Sequence, residues 1–161
     1  MAKTMLTTLK YGVAALAVMA GSATVAQAEV LTPTHLPFKD AQRLVDKAAS
    51  VSTQLGNNVC IAVTDDGGTL IAFQRMEGAA PGCADSAIAK AHSSAIFRTT
   101  TETFMDLVNK GQPAVGYLPG MVALGGGVPI IKNGRIYGAV GVAGASITDE
   151  IKIATEAAAQ L

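Results

Sequence analysis

Residues 128–144, V-P-I-I-K-N-G-R-I-Y-G-A-V-G-V-A-G, predict a β-hairpin. Asn133 and Gly134 suit the two positive-φ positions of a type I′ turn, and the runs on either side are rich in Val and Ile. The returning strand carries glycine at every third position, at Gly138, Gly141 and Gly144. Glycine weakens a strand and is kept there mainly where a backbone or a ligand approaches closely. What approaches this strand is therefore the central functional question.

The rest of the chain predicts further helices and strands around this hairpin. Apolar residues recur at helical spacing in residues 41–55, and a second hairpin with a D-D-G-G turn spans residues 59–76. Helices are predicted at residues 84–97, 102–110 and 147–160, and one more strand at residues 121–124. The element order is then α-β-β-α-α-β-β-β-α. We expect an α/β (α+β) fold with a mainly antiparallel five-stranded sheet and helices on both faces.

Residues 1–28 have the pattern of a secretory signal peptide. Lys3 and Lys10 form a positive n-region, residues 11–21 are apolar, and Ala26-Gln27-Ala28 is an A-x-A cleavage site. The apolar stretch is shorter than the roughly 20 residues that span a bilayer. The alternative is an N-terminal core helix. We expect a single mature domain, residues 29–161, that is periplasmic or secreted and has no stable membrane insertion.

The charge balance argues against a nucleic-acid partner. The chain has 12 Lys and Arg and 12 Asp and Glu, so its formal net charge is zero, and removal of Lys3 and Lys10 would leave −2. Proteins that bind nucleic acid need an excess of basic side chains to neutralise phosphates. We therefore predict no nucleic-acid binding.

Two cysteines, Cys60 and Cys83, lie in the predicted mature chain. In an oxidising compartment they can form a disulfide. They can equally be two separate buried thiols, because the sequence does not show whether their Cα atoms come within about 7 Å. The sequence leaves both possibilities open.

The sequence lacks several familiar catalytic and metal-binding motifs. It has no H-x-x-x-H pair, no C-x-x-C, no G-x-S-x-G and no phosphate-binding glycine motif. The glycines at residues 125–127 precede Pro129 and a β-branched run, so a strand follows them rather than a helix N-terminus. We therefore predict neither a closed zinc site nor dinucleotide binding.

A group of basic and hydroxyl side chains remains as the candidate site. Arg75 ends a predicted strand, and Lys90 and His92 lie on the next helix. Arg98 and Thr100 follow that helix. Cations for carboxylates and an N or O ligand for a metal would suit a flat, dianionic molecule such as haem. The alternatives are a solvated basic helix end and a hydrogen-bonded histidine at the edge of the core.

Four motifs in order resemble the GlcG/HbpS family. They are V-T-D-D-G-G-T-L-I-A-F-Q-R-M, A-K-A-H-S-S-A, G-G-G-V-P-I and G-A-V-G-V-A-G, the last followed by an acidic residue. The resemblance runs from Phe38 to Leu161. This family comprises small haem-binding or haem-degrading-type domains, which also occur at the C-terminus of PduO-type cobalamin adenosyltransferases.

The resemblance implies a profilin-like sandwich that assembles as a homo-oligomer, often an octamer. It implies haem b or iron as cofactor, and a membrane sensor kinase as partner in oxidative-stress sensing. A periplasmic oxidoreductase is the other partner that we consider. Members of the family differ in the His or Thr that binds the iron, and the first helix here contains no His. We take His92 as the first choice of iron ligand and Thr100 as the second. Lys90, Arg75 and Arg98 would pair with the propionates.

Three functions follow from the sequence. The leading hypothesis is an exported protein that binds haem non-covalently, in haem or iron handling or in redox-stress sensing. The second is an oligomeric structural or accessory protein for a periplasmic oxidoreductase or a sensor kinase, without haem. The third is an enzyme acting on haem or on a small organic acid. The sequence does not demonstrate turnover, and we assign no catalytic residue.

Overall fold

A computed structural model describes residues 35–161, and the predicted signal peptide lies outside these residues. The described part of the chain forms four α-helices, four β-strands and one 3-10 helix. They are α1 (Phe38–Gln54), β1 (Cys60–Asp65), β2 (Leu70–Arg75), α2 (Cys83–Phe97), α3 (Thr101–Asn109), the 3-10 helix Pro113–Tyr117, β3 (Gly127–Lys132), β4 (Arg135–Ala143) and α4 (Ile147–Ala158). No helix within residues 35–161 is long and apolar enough to cross a membrane.

The strands form one antiparallel sheet in the order β2-β1-β4-β3. The hairpin β3-β4 is confirmed, and its turn residues Asn133 and Gly134 have φ values of 51° and 73°. Both hairpins contain a register shift in their pairing, next to Val63 in β1 and next to Ile130 in β3. The two central strands of the sheet, β1 and β4, are buried on both faces.

The prediction of a five-stranded sheet was wrong, because residues 121–124 do not form a strand. The backbone N–H of Val122 donates to the Ser93 hydroxyl of α2, at 3.0 Å, and not to a neighbouring strand. Gly120 and Gly126 bracket the segment with φ values of 78° and 114°, which turn the chain away from an extended path. The correct order is therefore α-β-β-α-α-β-β-α.

The two faces of the sheet carry side chains of different size. Ile61, Val63, Val140 and Val142 pack with α1 and α4 in the main apolar core. On the other face, Cys60, Ala62 and Ala143 pack with α2 through its residues Cys83, Ala87 and Ala91. Because successive strand residues point to opposite faces, the sequence alternates large and small residues along β1 and β4. The small face determines how closely α2 lies.

The element that approaches the glycines of β4 is α2. In the sheet, Gly141 pairs with Ala62 on one side and with Gly127 on the other. A Cβ atom at Gly141 would collide with the Ala87 carbonyl oxygen and would lie 2.5 Å from the Ala91 nitrogen. A Cβ atom at Gly127 would lie 2.6 Å from the Thr101 side chain. The row of small residues therefore lets the helix backbone rest directly on the strands.

Two further links hold α2 on the sheet. Cys60 and Cys83 form a disulfide with their Cα atoms 5.4 Å apart, which joins the first residue of β1 to the first residue of α2. In the middle of the helix, the Lys90 ammonium lies 2.5 Å from a carboxylate oxygen of Glu150 in α4 and 3.2 Å from the Val142 carbonyl oxygen. These links fix the position of the helix that carries His92.

Candidate functional site

An open cavity of about 400 Å³ lies beside α2. This volume is within the range of small-molecule binding sites. One wall is the outer face of α2, where Asp85, Ile88, Ala89 and His92 recur at helical spacing. The other walls come from Gly68 in the β1–β2 turn and from residues 120–122, namely Gly120, Met121 and Val122.

His92 is the histidine that lines this cavity, and its hydrogen bond fixes the tautomer of its neutral ring. Its Nδ1 atom lies 3.0 Å from the carbonyl oxygen of Gly68. Since a carbonyl oxygen can only accept, Nδ1 must carry the proton and donate it. In a neutral imidazole the Nε2 atom is then unprotonated and has a free lone pair. A histidine whose Nδ1–H is fixed by a backbone carbonyl is typical of metal ligands.

Two glycines frame the imidazole ring. A Cβ atom at Gly68 would lie 2.5 Å from His92 Nδ1, so any side chain there would push the ring away. A Cβ atom at Gly120 would lie 3.4 Å from His92 Nε2 and 3.1 Å from Ile96 Cδ1. The ring is half-buried between these two backbones. The cavity therefore keeps space beside the imidazole only because both positions lack a side chain.

The surface next to the cavity is apolar and only partly covered. Leu70 and Phe73 of β2 pair with Thr64 and Ala62 of β1, so they lie on the face of the sheet that α2 covers. The helix packs mainly over β1, β4 and β3, and leaves β2 uncovered. As a result, Leu70 is 42% and Phe73 39% exposed. Together with Ile88, Met121 and Val122, these side chains offer a water-excluding surface to a flat ligand.

Lys90 does not lie in the cavity. The helix turns its side chain inward to the ion pair with Glu150, and only 2% of Lys90 is exposed. A propionate at the surface cannot reach this ammonium, so the expected role of Lys90 does not fit its position. The sequence suggested a solvated cation because lysine is almost never buried without a charged partner. That partner, Glu150, lies sixty residues further along the chain.

The other predicted residues lie outside the cavity walls as well. The Arg75 guanidinium, at the end of β2, donates to the Ala79 carbonyl oxygen at 2.7 Å. Arg98 is an exposed C-cap of α2 in the left-handed conformation. Thr100 is the N-cap of α3, and its hydroxyl accepts from the Thr103 N–H at 3.3 Å. Of the five predicted site residues, the structure places only His92 in the cavity, and the exposed Arg75 and Arg98 stand at opposite ends of the same region.

Sequence reasoning missed several lining residues. Asp85 was not singled out from the sequence, although it precedes His92 by two helical turns and therefore shares its face. Gly120 lies in a stretch with no periodic pattern, and its contact with the imidazole depends on the path of a loop. Helical spacing was sufficient to predict that Asp85 shares a face with His92, whereas no sequence signal identified Gly120.

The second histidine lies elsewhere. The His35 side chain is 72% exposed, and its Nδ1 atom lies 3.3 Å from a carboxylate oxygen of Asp66. It borders a smaller cavity of about 220 Å³ with Tyr137 and the C-terminal Leu161 among its lining residues. This cavity does not contain a nitrogen or sulfur ligand held in place as His92 is.

The cavity at His92 offers one metal ligand, and this suits haem. Within residues 35–161, no group of three or more His, Cys, Asp or Glu side chains is arranged to hold a metal ion. A bare transition-metal ion needs several protein ligands. Haem iron already has four porphyrin nitrogens, so that a single axial imidazole is sufficient. The free Nε2 atom, the glycine frame and the apolar surface therefore fit this group.

Comparisons with known proteins identify the family of this chain. Residues 36–159 match the family described as "Haem degrading protein HbpS-like". The GlcG protein of Escherichia coli K12 is 44% identical over 85 residues, and the match covers 53% of this chain but only 63% of GlcG. A double mutant of HbpS from Streptomyces reticuli superposes with a TM-score of 0.74 at 27% identity, over 96% of this chain and 99% of HbpS. A complex of PduOC with haem gives a TM-score of 0.73 at 27% identity, over 79% of this chain and 95% of PduOC.

Proposed function

Because this chain belongs to the family of HbpS-like haem-degrading proteins, we propose that it binds haem non-covalently, with His92 as the iron ligand. The observation that carries the proposal is the hydrogen bond from His92 Nδ1–H to the Gly68 carbonyl oxygen, which leaves Nε2 free in an open cavity. Bound haem would supply an iron that exchanges electrons and takes small ligands.

The macrocycle would rest on the apolar surface next to His92. Ile88 and Met121 line the cavity, and Leu70 and Phe73 extend the same side of the sheet. Burial of this surface stabilises the complex by about 25 cal/mol for each Å² of apolar area removed from water. The cavity is open, so that the haem would keep one exposed edge. This arrangement supports a modest affinity rather than a permanent cofactor.

Haem carries both propionates on one edge, so they would pair with one of the two arginines at the ends of the apolar surface. Arg75 and Arg98 are both exposed. Arg75 already donates to the Ala79 carbonyl, but a guanidinium has five N–H donors and keeps others for a carboxylate. Hydrogen bonds to charged groups contribute about 1.5–3 kcal/mol each. Lys90 has no part in the proposal because it is buried against Glu150.

The wider role follows the leading sequence hypothesis. We propose an exported homo-oligomer in haem or iron handling or in redox-stress sensing, with an octamer as the expected form. Exposed apolar side chains favour contacts with other chains: Tyr117 is 86% and Leu118 49% exposed, in the segment that leads to the cavity. A membrane sensor kinase or a periplasmic oxidoreductase is the expected partner. Turnover of haem is not part of the proposal.

Titration of haemin into the untagged domain, residues 29–161, tests the proposal. The sequence contains two histidines, so His35→Ala is the matched control for His92→Ala. We expect a Soret shift in the wild type and in His35→Ala, and its loss in His92→Ala. Added imidazole should restore the shift in His92→Ala by occupying the vacated space. A wild-type spectrum without a Soret shift, or a shift that His92→Ala leaves unchanged, would refute the proposed site.

A further inference from the structure

Residues 111–122, here called the strap, connect α3 to the glycine segment before β3. The strap contains the 3-10 helix Pro113–Tyr117, begins at Gly111 with a φ value of 87°, and is followed by Gly126, whose φ value is 114°. Most of its residues are exposed. It is long enough to cross the outer end of α2 and it forms one wall of the cavity at His92.

The strap runs beside the edge of the His92 ring that carries the free nitrogen. A Cβ atom at Gly120 would lie 3.4 Å from His92 Nε2 and 3.6 Å from Cδ2. The Gly120 backbone is therefore packed beside the position that a metal ligand of this histidine must reach. A flat molecule bound to Nε2 extends outward on all sides of the nitrogen. The strap in its present position therefore narrows the space that such a molecule can use.

The strap's backbone hydrogen bonds are largely internal. The N–H groups of Val115, Leu118 and Met121 donate to the carbonyls of Gln112, Val115 and Leu118, at 3.2, 3.3 and 3.0 Å. The link to α2 is different in kind, because the Val122 N–H donates to the hydroxyl of Ser93, a buried residue one position after His92. Since the internal bonds can persist during a rigid movement, the strap can swing as a unit when the Ser93 bond opens.

We propose that the strap limits the access of ligands to His92 Nε2, and that the Ser93–Val122 hydrogen bond holds the strap in this position. Ser93 acts here as a positioning residue, through Val122, and does not touch the ligand. Movement of the strap about Gly111 and Gly126 widens the access to the nitrogen. The gating of haem rests on the proposed function, whereas the gating of the nitrogen itself does not.

Chemical modification of His92 by diethyl pyrocarbonate tests the gate without haem. The reagent attacks an unprotonated imidazole nitrogen, and peptide mass spectrometry separates His92 from exposed His35, which serves as the internal reference. Ser93→Ala removes the strap's bond. Ser94→Ala is the matched control: Ser94 is the next residue, equally buried, and its hydroxyl donates to the Thr99 carbonyl at 2.8 Å, away from the strap.

We expect Ser93→Ala to speed modification of His92, relative to His35, by about two- to tenfold, which is the population change expected from loss of one hydrogen bond. Ser94→Ala should leave the ratio unchanged. Ser93→Thr, which keeps a hydroxyl, should restore the wild-type ratio. Equal ratios in Ser93→Ala and wild type, or equal acceleration in both serine variants, would overturn the proposal.

A second measurement needs no substitution, in case Ser93→Ala does not fold. Hydrogen exchange of the wild-type chain compares the Val122 amide with the Val142 amide, which lies in the central strand β4 and donates to the Gly126 carbonyl at 2.9 Å. We expect Val122 to exchange at least tenfold faster through local opening. Equal protection of the two amides would overturn the gate.

Stopped-flow mixing with haemin separates failure of the gate from failure of haem binding. A faster association in Ser93→Ala than in Ser94→Ala, with the same final Soret band, supports the gate for haem. If neither protein binds haemin but His92 modification still responds to Ser93→Ala, the gate stands and the proposed function is wrong. If haemin binds and both variants associate at the wild-type rate, haem binding stands and the gate for haem is wrong.

Discussion

The Nδ1 atom of His92 lies 3.0 Å from the carbonyl oxygen of Gly68, which joins the outer face of α2 to the turn between β1 and β2. The turn is rigid because the Asp65 carboxylate accepts from the N–H groups of Gly67 and Thr69, at 3.0 and 2.8 Å. Orientation of the imidazole is therefore a property of the first hairpin as much as of the helix. Substitutions in the turn should therefore change the orientation of the His92 imidazole.

The first prediction concerns the tautomer of His92. Nitrogen-15 NMR of the haem-free protein should show the proton of neutral His92 on Nδ1, because the Gly68 carbonyl can only accept. His35, exposed and placed next to a carboxylate, provides the comparison within the same spectrum. A proton on Nε2 of His92 would contradict the geometry and would remove the free lone pair on which the site depends.

The second prediction concerns the glycine under the ring. Gly68→Ala would place a Cβ atom 2.5 Å from His92 Nδ1, whereas Gly56→Ala meets no atom within 4 Å at a similar φ of 73°. Both variants carry the cost of a left-handed alanine, about 1–2 kcal/mol. In Gly68→Ala alone, we expect the Nδ1 hydrogen bond to be lost and haemin affinity to fall by about tenfold or more, as overpacking costs 1–3 kcal/mol. Equal haemin affinity in the two variants would contradict this.

The third prediction concerns the buried ion pair. Lys90→Met leaves the Glu150 carboxylate buried without its cation, and we expect a loss of about 3–5 kcal/mol in the free energy of unfolding. The double variant Lys90→Met, Glu150→Gln should recover most of it, because the glutamine oxygen can still accept from the Gly144 and Ala145 N–H groups. Urea unfolding of the four proteins measures the coupling. Simple additivity of the two single losses would show that the pair is not a unit.

The fourth prediction concerns the contact between helix and strand. Gly141→Ala forces a methyl group against the backbone of α2 at Ala87 and Ala91. We expect a loss of about 3 kcal/mol or more in the free energy of unfolding, because backbone cannot move aside as a side chain can. Gly82→Ala, where no atom lies within 4 Å and φ is −72°, should be close to neutral. A mild effect of Gly141→Ala would mean that α2 lies further from the sheet than described.

The fifth prediction concerns the disulfide. Cys60→Ala with Cys83→Ala opens a loop with a sequence separation of 23, and the chain-entropy model gives a loss of about 3 kcal/mol. Thermal unfolding of the oxidised, reduced and double-alanine proteins measures it. Because α2 is also held at Gly141 and by Lys90, we expect the double variant to fold and to keep the His92 tautomer. A double variant that does not fold would mean that the disulfide contributes more to the stability of the domain than the contacts at Gly141 and Lys90.

Local sequence patterns gave most of the fold. The Asn133-Gly134 turn, the helical periodicity of α1 and the Ser146 cap of α4, which accepts from the Asp149 N–H at 3.2 Å, were all predictable because each depends on residues close together in the chain. The prediction of a strand at residues 121–124 was wrong because it used local composition alone. Their composition is that of a strand, but a strand needs a partner, and the Ser93 hydroxyl of α2 takes the N–H of Val122 instead.

In the candidate site too, the sequence predicted what depends on nearby residues and missed what depends on residues distant in the chain. His92 was predictable as a candidate ligand because its residue type and its helix were visible. The role expected for Lys90 failed because helical position alone does not show which face is buried, and the partner, Glu150, comes from α4. Gly120 carried no signal at all, since its contact with the imidazole is made by the strap.

The sequence by itself determined the order of helices and hairpins, the membership of a family and the presence of one well-placed histidine, because these follow from short-range periodicity, turn chemistry and residue type. Only the tertiary structure decided that α2 is what approaches the glycines of β4, that Cys60 and Cys83 meet, and that His92 keeps Nε2 free while Lys90 is buried. These outcomes depend on contacts between residues distant in the chain. Such contacts are chosen by the packing of the whole domain and leave no pattern in any one segment.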